Sequence, residues 1–207
     1  YAARTPAGLM ADYNITPQHE LDAIPSPYPF PVEVARSRDC GVAMVYESSR
    51  GCPYKCIYCQ FGHRSNVIRR FPLNRIEREL KWLLSEHIDC IHFADPVFDM
   101  VPTHAKRVLT ILCDNNIRTS LLFYCSFYKL DEELARLFAR SQCQIDVGVQ
   151  STNPEVLKRI KRGLSPRLFE DIAELLKKYQ LNFYTDLIFG LPGDSMDSFK
   201  QSFNRTV

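Results

Sequence analysis

The chain has 207 residues, 45% of them hydrophobic and 24% charged, enough for one domain with a sizeable core. Its net charge of +2 gives no basic excess to favour nucleic acid and no acidic tail. No apolar run approaches the ~18 residues of a membrane span and no signal sequence opens the chain, so no membrane association and a cytoplasmic location are expected.

In chain order, residues 1–40 show no regular periodicity. The stretch Ile24-Pro25-Ser26-Pro27-Tyr28-Pro29-Phe30-Pro31 alternates proline with other residues, which forbids helix. It reads as an extended linker entering a domain at residue 41. From there strands and helices alternate. Val42–Glu47, Cys90–Phe93, Ser120–Cys125, Gln144–Val149 and Phe183–Phe189 read as buried strands. Between them lie helices at Leu73–Ser85, Thr103–Cys113, after the capping residue Asp131, at Pro154–Lys161, and with Pro166 in a first turn. A last helix begins at Ser195 and runs into Val207. The chain opens on Tyr1 rather than Met, so a piece of a longer protein is expected. Repeated strand–helix units with no dinucleotide glycine fingerprint predict an α/β fold with parallel strands, a partial TIM-like barrel stopping after about five βα units.

Eight cysteines in such a chain read as reduced thiols rather than a disulfide scaffold. Three of them, Cys52, Cys56 and Cys59, fall within eight residues. One loop can thus wrap three corners of a metal centre with the soft ligands that iron–sulfur clusters require, leaving a fourth iron open. The alternative is a structural zinc completed by His63 or Cys40, although neither paired-knuckle spacing is present. Cys40, Cys90, Cys113, Cys125 and Cys143 share no ligand spacing and read as small hydrophobes. Of these, Cys125 closes a strand where it can meet a substrate.

Parallel α/β folds bind ligands at the carboxyl ends of their strands. Asp95 ends the second strand, where a carboxylate can accept from an ammonium. Gln150, Ser151 and Thr152 end the fourth, with amide and hydroxyl groups suited to ribose. Gly190, Pro192 and Gly193 follow the fifth, where glycine lets backbone approach a flat ring. Each also has a plain structural reading: a turn cap for Asp95, a helix cap for Gln150 and Ser151, and a tight turn for the glycines.

The segment Cys52-Pro53-Tyr54-Lys55-Cys56-Ile57-Tyr58-Cys59 resembles the signature of the radical S-adenosylmethionine (SAM) superfamily, C-x3-C-x2-C with an aromatic before the last cysteine. The resemblance runs from about Ile24 to Val207. It implies a (β/α)6-type barrel and a 4Fe-4S cluster on Cys52, Cys56 and Cys59, with SAM on the open iron and Tyr58 near the adenine. It implies further that Asp95 binds the SAM amino group, although that motif is more often two glycines and a glutamate. Gln150 and Ser151 would touch ribose or carboxylate, and Ile188 and Gly190 would pack on adenine. Arg159 and Arg162 can reach the SAM carboxylate; arginines so placed also commonly solvate a helix face.

The proline-rich approach, the run Glu47-Ser48-Ser49-Arg50-Gly51-Cys52-Pro53 and Gly148-Val149-Gln150-Ser151-Thr152 are similar to the branch with an N-terminal cobalamin-binding domain. That implies residues 1–40 as a linker from such a domain and 41–207 as the radical SAM core. It also implies methyl transfer to an unactivated carbon of a small-molecule or peptide substrate, with flavodoxin or ferredoxin as electron donor. Phe123, Tyr124 and Cys125 would wall the barrel interior. No catalytic side chain is identified. Alternatives are a cobalamin-independent radical SAM enzyme, such as a methylthiotransferase or porphyrinogen-oxidase relative, and a non-catalytic metal-binding module.

Overall fold

The computed structural model describes residues 2–5, 8–11, 20–28, 41–64, 66–86, 88–115 and 117–206. Near the N-terminus, β1 (Ala2–Thr5) and β2 (Gly8–Ala11) pair antiparallel. Residues 1–40 show no periodicity in sequence, and four-residue strands such as these are too short to register as one. The main sheet has five strands: β3 (Ala43–Tyr46), β6 (Cys90–Phe93), β7 (Ser120–Cys125), β8 (Gln144–Gln150) and β9 (Asn182–Leu187). Between β3 and β6, β4 (Ser49–Arg50) and β5 (Arg69–Arg70) form a minimal antiparallel ladder. The five strands lie in chain order and every neighbouring pair is parallel.

Parallel pairing requires a crossover after each strand, and helices supply it. They are α1 (Phe61–Arg64), α2 (Leu73–Ser85), α3 (Pro102–Cys113), α4 (Glu132–Ser141), α5 (Pro154–Arg159), α6 (Pro166–Lys178) and α7 (Met196–Thr206). The starts are chemically marked. Asp131 accepts from the Leu134 amide at 2.8 Å and Asn153 from the Glu155 amide at 3.0 Å, while Pro102, Pro154 and Pro166 stand at first-turn positions. No helix among the described residues is long and apolar enough to cross a membrane.

Side chains alternate faces along a strand, and that alternation sets the layers. Ile91, Phe93, Phe123 and Ile145 are fully buried with Ile76, Leu80, Leu83, Val108, Leu109, Leu112 and Leu134. Phe123 meets Phe138 of α4 edge-on at 5.9 Å, so the odd-numbered positions of β6 and β7 face the helices. His92 and Tyr124, whose rings lie 5.1 Å apart, share the opposite, interior face.

Residues 20–28 are docked rather than free. Leu21 is buried, and Arg75 Nη1 donates to the Ile24 carbonyl at 2.5 Å while its Nε pairs with Glu79 at 2.8 Å. Tyr46 donates to Glu79 at 3.0 Å, and Tyr28 to the Val45 carbonyl at 2.5 Å. Breaking such a buried pair strands a charge, so residues 21–28 are strapped to β3 and α2. Residues 29–40, which include Cys40, lie outside the described residues, as does Val207.

Candidate active site

The three cysteines sit on a loop between β4 and α1 whose path is set at several points. Gly51 has φ +103°, and a Cβ there would overlap the Val67 carbonyl oxygen. At Gly62 a Cβ would overlap the Tyr54 carbonyl. Only glycine fits the first position on both counts. Midway, the Ile57 amide donates to the Ile160 carbonyl at 3.2 Å and the Cys59 amide to Cys56 at 3.1 Å.

This loop forms one wall of a cavity of about 420 Å³ at the carboxyl ends of the strands, within the usual size of a small-molecule site. Cys52, Cys56, Cys59, Tyr58 and Tyr54 line it from the loop. Across from them stand His92 and Ala94 of β6 and its exit, Tyr124 and Ser126 of β7 and its exit, and Asp146, Gly148 and Gln150 of β8. Asp186 of β9, Arg162, Phe61, Pro96, Val97 and Cys125, the cysteine that closes β7, complete the lining. Cys125 at the end of β7 apart, the lining positions along β6, β7 and β8 are even-numbered, the interior face of the alternation.

All seven described cysteines are free thiols. Among the described residues no three His, Cys, Asp or Glu side chains converge as a single metal ion would need, since zinc–sulfur bonds are ~2.3 Å. A cubane offers each thiolate its own iron, so three thiols spread along one wall fit a cluster. Burial pushes the Cys52 thiol up, while the Arg162 cation acts in the opposite sense. A metal bound there would displace thiol protons. The His63 side chain, a candidate fourth ligand for zinc, lies outside what is described, as does Cys40.

Arg162 is the hub of the site. Its Nη1 donates to Tyr58 Oη at 3.2 Å and lies 3.8 Å from Cys56 Sγ, and its Nη2 donates to the Gly148 carbonyl. The guanidinium stands 5.5 Å over the Tyr128 ring, a favourable cation–π placement. Its Nε is buried without a partner. Lys161, at φ +57°, makes the turn that delivers it. Arg159 goes elsewhere and lies against Gly193.

On the far wall, burial and then the adjoining Asp186 carboxylate, which also hydrogen-bonds to it, push Asp146 up to about 6. His92 Nε2 is buried without a partner on the same wall. A register shift between Gly148 and Gln150, with Gln150 at φ +70°, aims the end of β8. A Cβ at Gly148 would meet Gln150 Nε2 at 2.5 Å, so the Gln150 side chain lies directly over this glycine.

Of the residues expected as ligands, the structure brings Cys52, Cys56, Cys59, Tyr58 and Gln150 to the cavity, and four others lie elsewhere. Asp95 is fully buried and accepts from Ser48 and Ser49. Ser151 is buried against Ser202 at 3.4 Å and accepts from the Asn153 amide at 3.1 Å, so it serves the turn into α5. Ile188 donates its amide to the Gln150 carbonyl at 3.0 Å and packs on the core. Gly190 has φ +79° with open space where a Cβ would stand, so its turn rather than a close approach requires glycine. Asp146, Asp186 and His92 were missed. Counting alternate positions along each strand was the signal that would have found them.

Two curated relatives have similar sequences. The 2-(S-pantetheinyl)-carbapenam-3-carboxylate methyltransferase of Streptantibioticus cattleyicolor is 29% identical over 85% of this chain, which covers 28% of that protein. The cobalamin-dependent radical SAM methyltransferase TokK of Streptomyces tokunonensis is 26% identical over 85% of this chain and 28% of its own. The chain thus spans less than a third of these relatives' length. The fold is shared with TsrM of Kitasatospora setae, a radical SAM methyltransferase solved with tryptophan and a SAM analogue. The TM-score is 0.70 at 22% identity, over 80% of this chain and 34% of that one. The model of the Radical SAM superfamily matches residues 46–206, and this chain belongs to that superfamily.

Proposed function

We propose that the chain is the core of a cobalamin-dependent radical SAM methyltransferase that carries a [4Fe-4S] cluster on Cys52, Cys56 and Cys59. The observation that carries this reading is the single cavity of about 420 Å³ that joins those three thiols to Arg162, Gln150 and Tyr58. Three thiolates leave one iron without a protein ligand, and the amino and carboxylate groups of SAM take that place. Arg162 has an unpartnered Nε and a charge that never leaves it, so it receives the SAM carboxylate. Gln150 serves the ribose hydroxyls and the half-exposed Tyr58 ring covers the adenine. The reduced cluster, when bound, supplies the electron that cleaves the sulfonium S–C5′ bond and releases a 5′-deoxyadenosyl radical. The chain's own contribution is to hold the substrate carbon near that position and to exclude water and competing hydrogen donors.

Cobalamin dependence is supported by the relative named for it; the cofactor would be held by polypeptide outside residues 41–207, with residues 1–40 as the connection. A small-molecule substrate and a flavodoxin- or ferredoxin-type reductant complete the reaction. Anaerobic incubation of the full-length protein with dithionite and SAM tests the radical step by release of 5′-deoxyadenosine. A preparation with an intact cluster and no such product would sink that step, and full-length protein that retains no cobalamin would favour a cobalamin-independent enzyme.

A further inference from the structure

We propose that Asp95 is a positioning residue for the cysteine loop, acting through Ser48 and Ser49 to hold the loop in its binding shape before any cluster arrives. That the loop carries a cluster rests on the function proposed above. Asp95 sits between Ala94 and Pro96, which both line the cavity, and is itself not among the lining residues. It is fully buried and accepts three hydrogen bonds: from the Ser48 amide at 3.0 Å, the Ser48 hydroxyl at 2.7 Å and the Ser49 hydroxyl at 2.6 Å. Because Ser48 gives its hydroxyl proton to Asp95, His104 Nε2 at 3.2 Å is the donor to Ser48 Oγ. The Ser48 carbonyl in turn accepts from the Phe71 amide at 3.0 Å. Every polar group of Ser48 is therefore engaged, and the chain reaches Cys52 only four residues on.

The geometry calls for a carboxylate. Asparagine has one acceptor oxygen and an amide nitrogen that cannot accept from the Ser48 amide, so one donor is left unpartnered. Charge-assisted bonds of this kind are also about twice as strong as neutral ones. The slack cannot be absorbed downstream, where Gly51 is already wedged against the Val67 carbonyl.

The test is hydrogen exchange on the cluster-free, full-length protein, comparing wild type with Asp95→Asn, Ser48→Ala and Ser49→Ala. Amides of residues 50–59 should exchange about ten- to a hundredfold faster in Asp95→Asn, as loss of a buried charged acceptor implies. The two serine variants should show the same pattern more weakly, with β7 and β8 protected as before. After reconstitution, iron should leave to a chelator faster in the same order. Unchanged loop exchange in Asp95→Asn would overturn the proposal, as would a loss of SAM affinity in Asp95→Asn that neither serine variant shares, since that marks a direct ligand. If Asp95→Asn does not fold, the serine variants decide the matter alone. A wild type that takes up no iron contradicts the functional reading instead, and the cluster-free exchange pattern still judges the clamp.

Discussion

The carboxyl ends of β3 and β6 and those of β8 and β9 treat their acids in opposite ways. At the first, Asp95 is fully buried and matched by three donors. Nearby, Asp99 is likewise buried and accepts from the Ser126 amide at 2.8 Å and the Phe127 amide at 2.6 Å. At the second, Asp146 meets another acid, Asp186, and both face the cavity. The closed end uses its acceptors on the protein's own serine hydroxyls and backbone amides, while the open end keeps them for whatever enters the barrel. Position explains the difference. Asp146 stands on the interior face of its strand, whereas Asp95 lies beyond the end of β6 and turns to the serines that follow β3.

Removing an acid from the closed end should cost most. Asp99→Ala orphans two buried amides and releases Phe127 from φ +58°, so stability should fall by about 2–4 kcal/mol, read by urea unfolding. Unchanged stability would mean that water replaces the carboxylate and that the end is not closed. Next comes Gly51→Ala, which combines a left-handed φ with overlap on Val67. It should cost about 1–3 kcal/mol and lower iron uptake, while a serine at Gly163, where nothing crowds a Cβ, should do neither.

The sequence already held most of the architecture. Strand limits at Cys90–Phe93 and Ser120–Cys125 match those observed, because buried parallel strands are short apolar runs flanked by turn residues. The cysteine wall was readable too, since its three thiols are neighbours in the chain. Asp95 was read as facing the cavity; its carboxylate takes up Ser48 and Ser49, partners that strand ends read one at a time do not announce. Arg162 was visible only as one of two arginines. What separates it from Arg159 is the left-handed turn at Lys161, a conformation that no spacing rule announces. The short ladder of β4 and β5 escaped because two-residue strands have no period.

Smaller effects address the open end. Arg162→Lys keeps the charge but loses the planar fork that reaches Tyr58 and Gly148 together, so SAM affinity should fall about tenfold with little change in stability; an unaltered affinity would free Arg162 from the cofactor. Asp146→Asn should give the smallest change, and a pH-dependent one. The folded pKa of Asp146 is about 6 against an ordinary 3.8, so between these values the native state keeps a proton that the unfolded chain releases. Its stabilising contribution is complete below 3.8 and lost as pH rises through 6. The variant cannot ionise, so its stability relative to wild type should climb across that window and level off above it. Solvent near the site limits the gain to roughly 1 kcal/mol. A difference that is flat with pH would show that burial and the neighbouring Asp186 do not raise the Asp146 carboxyl.

The central claim is that three thiols on one wall hold a cluster rather than a single ion. Iron and acid-labile sulfide counted after anaerobic reconstitution of the full-length protein test it most directly. The account predicts about four of each for this site, as a cubane contains, with that complement lost in Cys56→Ala. One equivalent of zinc with no iron would contradict it.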